Sequence, residues 1–245
     1  MEKKTGLHTL DKKDEFIGWP FYDKYLEDET YARPSQEDIM CEVQLNSLST
    51  HEELRPRVPE KTFYSEIEKY KDSWVPYLQR PGFSNNREGL MLWGLEGDTP
   101  GDSMSMPDAR KRTKNPNLKE SDFSHPTQFY KDMTCLHPVC EYFSPLGRTY
   151  IIKANIGAFF PPHRDFPLIS RDCFRIVAFW GNVRDYFWET DGQRLKIEKG
   201  RFYYVDTRKT HQTHMWGSDE PSYHLIMNIP KTWDNVLKLM SLMQR

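Results

Sequence analysis

Hydrophobic positions along the chain fall into two regimes, mostly helical patterns in the first part and short strand-like runs separated by turn signals in the second. Over residues 1–34, Lys, Asp and Glu dominate, interrupted by Phe16, Ile17, Trp19, Phe21 and Tyr22; this pattern predicts an arm docked on a core. Pro34-Ser35-Gln36-Glu37 then opens a helical pattern through Ile39, Val43 and Leu45. A second amphipathic stretch runs from about Phe63 to Leu78, with Phe63, Ile67 and Tyr70 on one face, and Pro81-Gly82 marks a turn. Gly89 to Leu95 (GLMLWGL) reads as a buried strand. Residues 97–124 break the pattern, being rich in Gly, Pro, Ser and charge. So long a connection in a compact domain is functional or disordered. It is either a solvated insertion or a lid or substrate-recognition loop beside an active site.

His125-Pro126 starts a helix candidate carrying Phe129, Met133, Leu136, Val139 and Phe143. From Thr149 onward the chain reads as short strands: TYIIKANI, AFFPPHRDF, CFRIVAFWG, DYFWET, RLKIEK, RFYYVD, HQTHMW and YHLIMNI. Turn signals such as Gly181-Asn182 and Asp191-Gly192 separate them. This punctuation predicts a double-sheet jelly roll or barrel. Lys231 to Met243 makes a closing amphipathic helix. The expected fold class is mainly β with flanking helices (α+β), built on a double-stranded β-helix (jelly-roll) core. Residues 1–60 are expected to be a polar N-terminal extension docked on the core. Residues 61–245 form the jelly-roll domain, with its catalytic core at about 148–230 and the insertion at 97–124.

Composition narrows the function classes. The chain has 245 residues, enough for a sizeable core, and a hydrophobic share of only 37% beside an aromatic share of 14%, so a few large residues must build the interior. A formal charge of −2 gives no reason to expect a nucleic-acid or anionic-membrane partner. Cys41, Cys135, Cys140 and Cys173 form no CxxC zinc pattern and suit a reducing compartment. Residues 1–30 hold no apolar signal-peptide segment, and no window approaches a membrane-spanning run. The expectation is a cytoplasmic protein.

The chemistry concentrates in Pro161-Pro162-His163-Arg164-Asp165 and Thr210-His211-Gln212-Thr213-His214. A His and a carboxylate two residues apart on an extended strand point the same way. A second His from a later strand, His211 or His214, can close a three-point face around one metal ion. Two imidazoles and one carboxylate with the far positions open suit ferrous iron and dioxygen. Pro161-Pro162 stiffens the approach to the first pair, and Pro167 ends the run.

From Tyr150 to Pro230 the chain resembles the catalytic core of Fe(II)/2-oxoglutarate-dependent dioxygenases, in particular the aspartyl/asparaginyl β-hydroxylases and the bacterial free-proline hydroxylases. The resemblance rests on HxD at His163 and Asp165, and on Gly200-Arg201-Phe202-Tyr203-Tyr204-Val205-Asp206 standing five residues before His211. It implies His163, Asp165 and His211 as the metal ligands, with His214 as the alternative distal ligand. It also implies Fe(II), 2-oxoglutarate and O2 as cofactor and cosubstrates, and a C–H bond hydroxylated with succinate and carbon dioxide as coproducts. The family's Arg-x-His is matched by Arg175 but not by a second His. The Arg that the family places about ten residues after the distal His is absent, and Ser222 or His224 stands there. The resemblance therefore assigns one 2-oxoglutarate carboxylate to Arg175, with His224, Tyr150 or Lys153 assisting at the other.

Several further residues carry two readings. Trp180, Trp188 and Trp216 are core or pocket wall rather than substrate readers, since aromatics dominate core area. Asn85-Asn86-Arg87-Glu88 is a solvated turn or a set of groups reaching a substrate carboxylate. Met104 and Met106 could pack onto a partner, and Lys111-Arg112-Thr113-Lys114 is a solvated face. The leading reading is a hydroxylase acting on a small-molecule or peptidyl substrate, an amino acid or a peptidyl side chain. Its rivals are a cupin-like metal-dependent oxygenase without 2-oxoglutarate, favoured by the missing Arg, and a non-catalytic jelly-roll binding module.

Overall fold

The computed structural model describes residues 35–77, 86–165, 172–217 and 220–243. The expected N-terminal arm around Trp19, Leu78 and the Pro81-Gly82 turn lie outside these residues.

Among the described residues, twelve strands form two antiparallel sheets. The larger sheet holds β1 (His51–Arg57), β10 (Arg201–Val205), β7 (Cys173–Gly181), β12 (Ser222–Pro230), β5 (Thr149–Ala154), β3 (Arg87–Gly94) and β2 (Val75–Pro76) in that order, with β4 (His125–Pro126) also on β3. The smaller runs β6 (Phe159–His163), β11 (His211–Met215), β8 (Tyr186–Thr190) and β9 (Gln193–Arg194). This is the mainly β, jelly-roll architecture that the strand punctuation predicts. Side-chain alternation sorts the core into two layers. Along β12, Leu225, Met227 and Ile229 join a cluster on the helix-covered side, whereas Ile226 joins Val177, Phe179, Trp188, Tyr203 and Met215 in a second cluster shared by the two sheets. The helices are α1 (Gln36–Asn46), α2 (Glu60–Ile67), α3 (Met106–Thr113), α4 (Gln128–Asp132), α5 (His137–Tyr142) and α6 (Trp233–Leu242). Among the described residues no helix is long and apolar enough to cross a membrane.

Helix α1 begins where Ser35 accepts from the Asp38 amide and Asp38 reaches back to the Ser35 amide. This reciprocal cap satisfies donors that the first turn leaves unpaired.

Several elements differ from the expectation. Within residues 1–60, β1 pairs with β10, His51 opposite Val205, as the edge strand of the larger sheet. Its sequence, HEELRPR, buries only Leu54 fully, so alternation is too faint to read, and Pro56 is tolerated because the strand lies at an edge. The helix expected from Phe63 to Leu78 stops at Ile67, continues as a single 3-10 turn to Tyr70, and gives way to β2. The segment 97–124 is not a structureless loop. It contains α3, capped by Ser105, and buries Ala109, Leu118 and Phe123 in a small core of its own. Trp216 is 62% exposed rather than core, while Trp180 stacks on Phe63 at 4.0 Å and donates to the Val58 carbonyl. Elsewhere, the helix expected from His125 is broken into α4, a 3-10 turn and α5, with Pro138 in the first turn of α5. Of RLKIEK, only Arg194 belongs to a strand.

Candidate metal centre and its pocket

His163 closes β6 and His211 opens β11, and the two are direct partners in the antiparallel ladder. Directly opposed residues share a face, so both imidazoles project together. Asp165 lies two residues past His163, its amide donating to the Thr207 carbonyl. One donor atom from each of His163, Asp165 and His211 lies within 4.8 Å of the other two. His163 Nε2 is 3.6 Å from Asp165 Oδ1, and His211 Nε2 is 3.8 Å from Asp165 Oδ2.

The second nitrogen of each ring decides what the first can do. His163 Nδ1 lies 2.9 Å from the Pro161 carbonyl and His211 Nδ1 3.1 Å from the Lys209 carbonyl. A carbonyl only accepts, so both Nδ1 atoms carry a proton, and each Nε2 is the atom turned toward Asp165. This is the outer support that metal-binding imidazoles use. Burial lowers His211 to about 4, against the opposing pull of Asp165, so its ring is neutral at physiological pH. Burial alone raises Asp165, but the Arg175 guanidinium, then His163 and His211, outweigh it and hold the carboxyl below the usual carboxylate range. Two imidazoles and one ionised carboxylate on one face, opening onto a cavity, fit a ferrous ion.

That cavity, about 330 Å³, lies between the two sheets. Phe160, Tyr186, Trp188 and Ile226 supply apolar wall, and Trp188 stacks flat on His211 at 5.9 Å. Tyr150 and His224 also line it, and Tyr150 shares a 3.2 Å hydrogen bond with Tyr77. His224 is 3% exposed, and its Nε2 has no hydrogen-bond partner. Burial, then the Arg87 charge, lowers it to about 3, so it is a neutral donor or acceptor.

Two of the candidate residues take other places. Lys153 alternates to the opposite face of β5 from Tyr150, where its Nζ lies 2.9 Å from Glu88 and 5.8 Å from the Trp74 ring centre. It does not line the cavity. Arg175 does, but its guanidinium is taken up by Asp165 and by Asn228 Oδ1 at 3.1 Å. His214 points away from the triad, stacked on Trp216 at 5.4 Å and packed against Phe159 at 4.4 Å.

Two further cations line the cavity: Arg87, read from the sequence as part of a solvated turn or of a set of groups reaching a substrate carboxylate, and Arg148, which the sequence did not mark. Arg87, 5% exposed, lines the cavity between the rings of Tyr77 and Phe160, at 5.3 and 4.5 Å. Arg87, Gly89 and Met91 share one face of β3, and Met91 belongs to the inter-sheet core, but a strand apolar on both faces hides which one is inward. Arg148 lies over the Tyr150 ring and makes two bonds to the wholly buried Glu120, at 2.7 and 2.9 Å. Nothing local marks that pair, whose members are 28 residues apart.

No protein-family description matches the sequence, and no curated protein matches it. Solved structures of similar outline include an oxidoreductase of the 2OG-Fe(II) oxygenase family from Burkholderia pseudomallei, at 12% identity over 81% of this chain and 93% of the other, with a TM-score of 0.38. A prolyl-4-hydroxylase from Pseudomonas putida has 12% identity over 78% and 98%, with a TM-score of 0.41. A prolyl hydroxylase from Trichoplax adhaerens, in complex with a hypoxia inducible factor oxygen degradation domain peptide fragment, has 10% identity over 84% and 94%, with a TM-score of 0.42. The chemistry of the site rests on the chain's own side chains.

Proposed function

We propose that this chain is a non-haem Fe(II)/2-oxoglutarate-dependent dioxygenase that hydroxylates an amino acid or a peptidyl side chain. The observation that carries this reading is the convergence of His163, Asp165 and His211 on one face with both Nε2 atoms turned toward the carboxylate. These three hold the metal. When bound, iron and 2-oxoglutarate supply the oxygen activation, with succinate and carbon dioxide as coproducts.

The remaining cavity residues bind, orient and exclude water. Arg87 reaches the cavity between the Tyr77 and Phe160 rings. We assign the distal carboxylate of 2-oxoglutarate to Arg87, whose planar fork suits bidentate pairing. Tyr150 and the open Nε2 of His224 flank it on the cavity wall. Arg175 orients the carboxylate ligand instead. Phe160, Tyr186 and Trp188 keep the space between metal and substrate dry. A cytoplasmic setting agrees with the reducing compartment that the cysteine usage favours.

Anaerobic titration of metal-free protein with Fe(II) and 2-oxoglutarate tests the proposal. A visible charge-transfer band is expected only when both are present, together with aerobic conversion of 2-oxoglutarate to succinate that His163→Ala abolishes. A second reading, an iron oxygenase without 2-oxoglutarate, draws on the lack of an Arg at positions 222–224. It is the correct one if iron binds and 2-oxoglutarate changes nothing. Absence of metal binding rejects both.

A further inference from the structure

A continuous buried chain of polar contacts leads away from the metal centre. Asp165 accepts from Arg175 Nη1, and Arg175 Nε donates to Asn228 Oδ1 at 3.1 Å. Asn228 Nδ2 donates to Glu120 Oε2 at 3.0 Å and to the Arg148 carbonyl at 2.7 Å. Glu120 takes both bonds from Arg148, whose Nη1 donates to the Met104 carbonyl at 2.8 Å. Asn228 and Glu120 are fully buried, and Arg148 and Arg175 are 4% and 6% exposed. Arg175 and Asn228 are direct partners across β7 and β12.

The far end of this chain belongs to the 97–124 segment. Ser105, Met106 and Pro107 form one wall of the cavity. Met104 reaches over Gly89, where an added Cβ would lie 2.2 Å from its Cε. The backbone is joined as well: the Arg148 amide donates to the Glu120 carbonyl at 2.9 Å, and the Gly147 amide to the Asn228 carbonyl at 2.8 Å. Burying two guanidiniums and two carboxylates costs more than apolar packing of the same volume. Stability alone is therefore a poor reason for the network. Every member is satisfied, and such networks fix one arrangement of the groups they join.

We propose that Asn228 is a positioning residue for the metal centre. Its amide ties the Arg175–Asp165 pair to the Glu120–Arg148 pair, so the carboxylate ligand and the cavity wall at 104–107 respond as one body. This rests on the proposed metal site. Filling the cavity against Ser105–Pro107 is then felt at Asp165, and metal binding is felt in the wall.

The test uses cobalt(II) as a spectroscopic probe on the full chain, with hydrogen exchange as a second readout. In the wild type, cobalt binding is expected to produce visible d–d bands and to slow amide exchange across residues 104–109. Asn228→Leu, close in shape, is expected to weaken cobalt binding about 10-fold, the lower end of the loss on removing a ligand's own partner, because Asn228 acts through Arg175. It should also abolish the exchange response while keeping the far-ultraviolet circular dichroism. Glu120→Gln, which keeps the packing, must move cobalt affinity in the same direction and serves if the first variant does not fold. A purely structural role would lower the melting temperature and leave cobalt affinity and band positions untouched; that result overturns the proposal. A wild-type chain that binds no cobalt fails at the metal site itself, and the positioning role falls with it.

Discussion

His163 and His211 face each other across the β6–β11 ladder with ring centroids 4.1 Å apart. One strand pairing thus sets two of the three candidate ligands, and His214, three residues on, points elsewhere. His163→Ala and His211→Ala are expected to abolish iron binding measured by titration, whereas His214→Ala should retain it. Loss of binding in His214→Ala with retention in His211→Ala would reverse the assignment.

Arg87 and Lys153 separate two accounts of cosubstrate binding. Losing a charge-assisted hydrogen bond costs about 1.5–3 kcal/mol, so Arg87→Ala should raise the 2-oxoglutarate KM on the order of 10–100-fold. Lys153→Ala should leave it unchanged, because its ammonium lies beside Glu88 on the other face of β5. Steady-state assays of succinate release decide between them; the opposite order of effects rejects the Arg87 seat.

Acid should destabilise the metal-free chain. Unfolded His211 and His224 take up protons near pH 6.5, whereas in the folded chain they do so only at about 4 and about 3. Between those values the unfolded state binds more protons, so stability falls as pH drops from 6.5 toward 4. Each group contributes up to about 1.4 kcal/mol per pH unit. The contribution of Asp165, whose folded carboxyl lies below its ordinary 3.8, is lost only at still lower pH and in the same direction. His224→Leu should remove about half the slope in urea-midpoint measurements from pH 6 to 4.5. An unaltered slope would mean that His224 is not held neutral by the fold.

Gly200 and Gly192 both have positive φ, +73° and +76°, but differ in surroundings. A Cβ at Gly200 would fall 2.0 Å from the Val58 carbonyl oxygen, and one at Gly192 meets nothing within 4 Å. Gly192→Ala should cost about 1–2 kcal/mol for the left-handed backbone alone. Gly200→Ala should cost more, since the Val58–Gly200 backbone contact must also give way. Equal losses in equilibrium unfolding would remove the steric explanation.

The legible part of this protein is the part governed by short-range periodicity. Turn punctuation between short apolar runs marks the strands from Thr149 onward, and two-residue alternation aligns His163 with Asp165. What the sequence concealed depends on distant partners. The place of Arg87 is set by the pairing of β3 with β5, Arg87 opposite Ala154, and a continuous apolar run such as GLMLWGL does not say which face is inward. Glu120 looked like one more charge in a polar segment, because its counter-ion Arg148 lies across the fold. Lys153 and Tyr150 differ by three positions and therefore lie on opposite faces of β5, a parity the sequence contains and the family analogy obscured. Between His211 and His214 parity also predicts opposite faces. A register shift between His211 and Thr213 hides which one turns inward.

Both imidazoles of the triad are tethered in the same manner, each to the carbonyl two residues before it. Flipping either ring would break that tether, so the entropy of aiming the donors is surrendered when the chain folds rather than when an ion arrives. Metal capture from a dilute supply then needs little rearrangement of either histidine.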